Sequence, residues 1–214
     1  MSNCCAPPST KAPHGRYRRV LWAALAINAI MFVAELASGL HANSTSLLAD
    51  AVDFFGDTAN YGLSLFVIGL APVWGSRAAL VKAAAMAGFG IFVLARVAFQ
   101  LGTGIVPDAP TMGVVGTLAL CANLSCAALL YAFRDGDANM RSVWLCTRND
   151  AIGNVAVLLA ALGTWGMAAG WPDLLVATGM AVLALRAAWA VVGHARAELA
   201  VEPDDHCQSR AKKS

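Results

Sequence analysis

The stretch Ser44-Thr45-Ser46-Leu47-Leu48-Ala49-Asp50-Ala51-Val52-Asp53-Phe54-Phe55-Gly56-Asp57 opens an apolar run that reaches Leu70 and yet carries three aspartates. A helix of about 20 mostly apolar residues is long enough to cross a bilayer. Inside hydrocarbon an aspartate costs roughly 2.5 to 3.5 kcal/mol at a helix centre on insertion scales, so such groups face a partner or a water-filled cavity. On a helix turning about 100° per residue, Asp50, Asp53 and Asp57 fall within an arc of about 60°, because offsets of three and seven return to nearly the same face. Three carboxyl groups therefore point one way from a single span.

Working outward from this run, five more apolar stretches of similar length follow the same rule: Val20 to Leu40, Ala83 to Leu101, Met112 to Phe133, Val143 to Met167 and Asp173 to Gly193. With 58% hydrophobic and 13% charged residues, the chain has too little polar surface for a water-soluble domain. The joints at 39–44, 102–110 and 170–172 carry Gly, Pro and Asn, which end helices. The expected fold is all-α, a polytopic membrane protein with a six-transmembrane-helix bundle. Residues 1–18 and 198–214 lack core periodicity and are expected to be cytoplasmic tails flanking a transmembrane domain over 19–197.

Lys and Arg collect at alternate ends: Lys11, Arg16, Arg18 and Arg19 before the first span, Arg77 and Lys82 after the second, Arg134 and Arg141 after the fourth, and Arg196, Arg210, Lys212 and Lys213 after the sixth. Cytoplasmic loops retain such residues, so both termini are expected on the cytoplasmic side of a bacterial inner membrane. The net charge of +2 reflects this bias; no basic face or aromatic platform suggests nucleic acid. Cys121, Cys126 and Cys146 lie in spans and Cys4, Cys5 and Cys207 in the tails, where reduced thiols are expected.

The fifth span repeats the pattern of the second. Cys146, Asp150 and Asn154 are four residues apart and form a stripe about 80° wide. If the two helices face each other, Asp53, Asp57, Cys146 and Asp150 bring four donors together, a recurring way to build a metal site in a bundle. The competing reading is that the acids are buried ion pairs or helix caps. Asp50, near Ser44 to Ser46, fits a cap as well as it fits an ion path. For Asp53 and Asp57 the intramembrane cations counted from the runs are Arg96, Arg148 and Arg186, and Arg148 points about 160° from Cys146.

These residues resemble those of the cation diffusion facilitator family. The run Asn43 to Asp57 is similar to that family's second span, in which an N-S-x-(S/A)-L-L-A-D-A segment leads into an H/D-x-x-x-D ligand pair, matched by Asp53 and Asp57. Asp150-Ala151-Ile152-Gly153-Asn154-Val155 is similar to the family's D-A-L-G-S-V segment, which implies a second ligand pair at Asp150 and Cys146. The family commonly has His or Asp at the latter position. Asn28, Glu35, the segment Arg77 to Lys82 and Pro172-Asp173 agree in a supporting way, over roughly residues 19 to 195. The joint 134–141 has no histidine, and few residues follow the sixth span, so the chain is expected to be a short form without the family's cytoplasmic C-terminal domain, a homodimer formed within the membrane or by other means.

The resemblance and the donor set imply a divalent transition-metal transporter and not an enzyme, with metal as cargo and no resident cofactor. Mixed oxygen and sulfur donors suit a tetrahedral ion, Zn²⁺ first, with Cd²⁺, Co²⁺, Ni²⁺, Fe²⁺ and Hg²⁺ chemically compatible. Three carboxylates and a thiolate in a low-dielectric site cannot all stay ionised, so the empty site holds protons and metal entry displaces them. Efflux by proton antiport follows. Asp50, Asn154 and Glu35 are second-shell candidates, Glu35 and Asn28 being read first as interhelical partners; Cys4, Cys5, His206 and Cys207 are weaker cytoplasmic candidates. The alternatives are an intramembrane aspartyl hydrolase, which would leave one acid and Cys146 without a task, and a non-transporting membrane scaffold, which would not need the acids.

Overall fold

The computed structural model describes residues 15–66, 72–133 and 138–211, with side chains described over 15–65, 76–133, 144 and 147–197. Six helices follow one another: α1 (Gly15–His41), α2 (Thr45–Phe66), α3 (Pro72–Thr103), α4 (Ala109–Tyr131), α5 (Ala138–Met167) and α6 (Trp171–Ala211). No strand occurs among the described residues. Among the described residues, five helices are long and apolar enough to cross a membrane; α2, which carries Asp50, Asp53 and Asp57, is the exception. The expected all-helical polytopic bundle is the observed one.

Two helices, α3 and α6, extend furthest past the apolar runs that announce them. α3 begins at Pro72 and not at Ala83, so Arg77 and Lys82 stand on the helix instead of in a joint. Proline suits that first position because its missing N–H has no partner there anyway and its φ is already helical. α6 continues through Ala211, past Pro203; within that extension, residues 194–202 are rich in Ala, Glu and Arg, which are good helix formers.

The helices pack mainly as α1 on α2, α3 on α6 and α4 on α5, while α2 also packs against α3, α5 and α6. That central position is what buries a helix bearing three acids. The inward face of α1 is one stripe, Tyr17, Leu21, Ala24, Asn28, Met31, Glu35 and Gly39, at the three- and four-residue spacing of a helix face. Outward-facing Ile30, Val81, Leu159, Trp165 and Trp189 are exposed, as expected where the surrounding medium is lipid.

The α1–α2 corner is tight. Asn43 takes a left-handed φ of 50°, which asparagine tolerates better than most residues. A β-carbon on Gly39 would lie 2.9 Å from Leu48 Cδ2 and 3.1 Å from the Leu48 nitrogen, so glycine is what lets the helices meet there. The start of α2 is then fastened to the start of α6. Asp173 Oδ1 accepts from the Ser44 hydroxyl (2.7 Å), the Ser46 hydroxyl (2.6 Å) and the Ser46 N–H (3.0 Å), and Oδ2 accepts from the Thr45 N–H (2.8 Å). Gln100 of α3 joins the same corner, bonding the Thr45 hydroxyl and the Asn43 carbonyl. The first N–H groups of a helix have no partner within it; here a carboxyl group from a neighbouring helix supplies one, where the helix dipole also favours negative charge.

Candidate metal centre

Halfway along α2, Asp57 faces α5. Asp57 is buried, 6% exposed, whereas Asp53 is half-buried. Asp150 of α5, also half-buried, brings its carboxyl group within hydrogen-bonding reach of that of Asp57. Two carboxyl groups in contact need a cation between them, a proton or a metal ion, because two carboxylates repel and neither can donate. Of the stripes on spans two and five, Asp57 and Asp150 are the acids that meet. Asp53 lies within electrostatic range of both Asp50 and Asp57.

Asp57 is held in place by a short chain of hydroxyls. The Tyr61 hydroxyl donates to Asp57 Oδ2 at 2.8 Å and lies 2.7 Å from Thr147 Oγ1. The phenol's one hydrogen is used on Asp57, so Thr147 must donate to the phenol oxygen. Tyr61 is fully buried one turn beyond Asp57 on α2, and Thr147 sits one turn before Asp150 on α5. This chain bonds α2 and α5 to each other beside the acids. Neither residue stood out in the sequence, although their offsets of four and three from Asp57 and Asp150 put them on the same stripes.

Of the remaining predicted residues, Cys146 is on α5, but its side chain lies outside the described residues. The same holds for His206 and Cys207 on α6, while Cys4 and Cys5 fall wholly outside them. Among the described residues no group of three or more His, Cys, Asp and Glu closes on one ion position. Asn154 is buried and its amide donates to the main-chain carbonyl of Asp150 at 3.1 Å, so its contact with Asp150 is through the backbone. Asp50 does not cap α2; Ser44 and Asp173 do, because they reach the free N–H groups of the first turn and Asp50 is beyond it. Instead Asp50 meets Glu35 of α1, forming a second buried carboxyl pair, and the Glu35 oxygens have no donor among the described residues. Asn28 has the bonding role first assigned to it, donating to the Ala24 carbonyl (2.8 Å) and reaching Cys126 Sγ of α4 (3.5 Å).

The cations fall differently from the reading of the runs. Arg148 is exposed and sits over the Trp144 ring, 5.4 Å from its centroid, so it does face away from the acids. Lys82, by contrast, is buried, donates to Asn60 Oδ1 of α2, and acts electrostatically on Asp57. It was missed because the apolar run was taken to begin at Ala83, just after it.

A family model for the cation efflux transmembrane domain matches residues 21–200. The chain belongs to the cation efflux family. It is therefore an integral, multi-pass membrane protein of a family of transporters, in keeping with its apolar helices. The cation efflux family member is 25% identical over 187 residues to the metal cation efflux system protein CzcD of Cupriavidus metallidurans and to the cation efflux system protein CzcD of Alcaligenes sp., covering 82% of this chain. The chain spans 59% of the length of these relatives.

Proposed function

We propose that this protein exports a divalent transition-metal ion, Zn²⁺ first, in exchange for protons, through a site made of Asp53, Asp57, Cys146 and Asp150. The observation that carries this reading is the meeting of the Asp57 and Asp150 carboxyl groups from two helices inside an apolar bundle. The relatives are described as cation efflux proteins, which supports the direction of transport. Carboxylate oxygens and a thiolate suit a tetrahedral borderline ion better than Mg²⁺ or Ca²⁺, which prefer six or more oxygens. The same donors hold protons when metal is absent, and a metal ion entering from the cytoplasm displaces them. Outward rocking of the bundle then lets external protons displace the metal. The protein works in a bacterial inner membrane with both termini in the cytoplasm, as a homodimer joined within the membrane.

A contacting carboxyl pair is also what an intramembrane aspartyl hydrolase would use, but membership in the cation efflux family favours transport. The test is a proteoliposome assay with metal- and proton-sensitive dyes. Zn²⁺ uptake into vesicles should acidify the side from which the ion is taken, and the Asp57→Asn, Asp150→Asn double variant should lose both signals. Undiminished metal flux in that variant would overturn the proposal.

A further inference from the structure

The proposed metal site has a positively charged neighbour that the ligand set does not use. Lys82 lies on α3, near the end of the bundle that holds the α2–α3 and α4–α5 joints, and it is only 7% exposed. Its Nζ donates to Asn60 Oδ1. Asn60 stands three residues after Asp57 on α2, so the two lie on adjoining positions of one helix face, roughly 4.5 Å apart along the axis. The lysine acts on Asp57 electrostatically. Burying a lysine within a membrane bundle is costly unless it answers an opposite charge, and Asp57 of α2 is an opposite charge on which it acts.

We propose that Lys82 is the tethered counter-cation of the metal site: a fixed positive charge, held one turn from Asp57 by Asn60, that lowers metal affinity so that the ion can leave. This rests on the reading of Asp57 and Asp150 as metal ligands. Between transport events the ammonium balances part of the carboxylate charge. A divalent ion that enters is repelled by that same ammonium, while its bonds to the donors hold it. The residue is thus a positioning and specificity group, not a ligand. It tunes the site toward ions that bond strongly to sulfur and carboxylate, and against ions such as Mg²⁺ that depend on net charge alone. Its place at the joint-bearing end means an ion coming from that side meets the ammonium before it reaches Asp57.

Two variants separate charge from packing: Lys82→Met removes the charge with little change in length, and Lys82→Arg keeps it. Purified full-length protein is titrated with Zn²⁺ against a fluorescent chelator at about pH 8, where protons compete least, and transport is followed in proteoliposomes. Lys82→Met should bind Zn²⁺ tighter by about tenfold or more, the floor set by Coulomb's law for a unit charge about a helical turn from a divalent ion under full water screening, a dielectric of about 80. Its transport KM and kcat should fall together, and its preference for Zn²⁺ over Mg²⁺ should narrow. Lys82→Arg should return the affinity to within about threefold of wild type. If Lys82→Met is not recovered folded, Lys82→Gln, which can still bond Asn60, gives the same reading. A Kd for the neutral variant that is unchanged within twofold, or weaker, overturns the proposal while leaving the metal site intact, provided Asp57→Asn abolishes binding. Full Zn²⁺ binding by Asp57→Asn overturns the site itself, and this inference with it.

Discussion

Replacing Asp173 by alanine removes the acceptor for four hydrogen bonds at the start of α2, at 2.6 to 3.0 Å. The two hydroxyls can adjust, since Ser44 Oγ and Ser46 Oγ are already 3.3 Å apart and can bond each other. The Thr45 and Ser46 N–H groups cannot, because they belong to the first turn and are buried. Each bond to a charged acceptor is worth about 1.5 to 3 kcal/mol, so the loss of those two predicts a destabilisation of about 3 to 6 kcal/mol. Asp173→Asn keeps one acceptor oxygen but turns an NH₂ toward a donor, and should cost about half as much, roughly 1.5 to 3 kcal/mol. Denaturant unfolding in detergent, followed by tryptophan fluorescence and circular dichroism, measures both. The order Ala, then Asn, then wild type in rising stability is the signature of a lost acceptor. A change below about 1 kcal/mol for Asp173→Ala would refute the assignment of Asp173 as the partner of the α2 terminus.

Other outcomes follow from the same structure. Tyr61→Phe removes the hydroxyl that bonds Asp57 and Thr147; removing such a supporting group typically weakens metal binding by about 10- to 100-fold, which a chelator-competition titration measures, with Thr147→Val expected to show a smaller loss. Gly39→Val forces side-chain atoms into Leu48, already within 2.9 Å of where a β-carbon would stand, and should destabilise by about 1 to 3 kcal/mol, read as a lowered Tm in detergent.

The two halves of the proposed site differ in how they are built. Asp57 is oriented by Tyr61 and Thr147 and neighboured by Lys82, whereas Asp53 is more open and within range of Asp50. An ion passing along α2 would move between a constrained position near Asp57 and a second carboxyl pair, Glu35 with Asp50, nearer the α1–α2 corner. The corner itself is fastened by Asp173 and Gln100.

The amino-acid sequence by itself determined the number of helices, their apolar exteriors and the three- and four-residue spacing of the acids on α2 and of Cys146, Asp150 and Asn154 on α5. These are local properties: a bilayer-length apolar run has to satisfy its backbone internally, and spacing along one helix decides which side chains share a face. What faced what was decided by tertiary packing. Only the placing of α2 among α1, α3, α5 and α6 brings Asp57 to Asp150, Glu35 to Asp50 and Asp173 to the α2 terminus. Lys82 shows the limit most clearly. Its sequence position beside Ala83 suggested a joint, because an apolar-run reading stops at a charge; in the bundle the chain continues as helix, and the charge is buried because the acids of another helix are there to receive it.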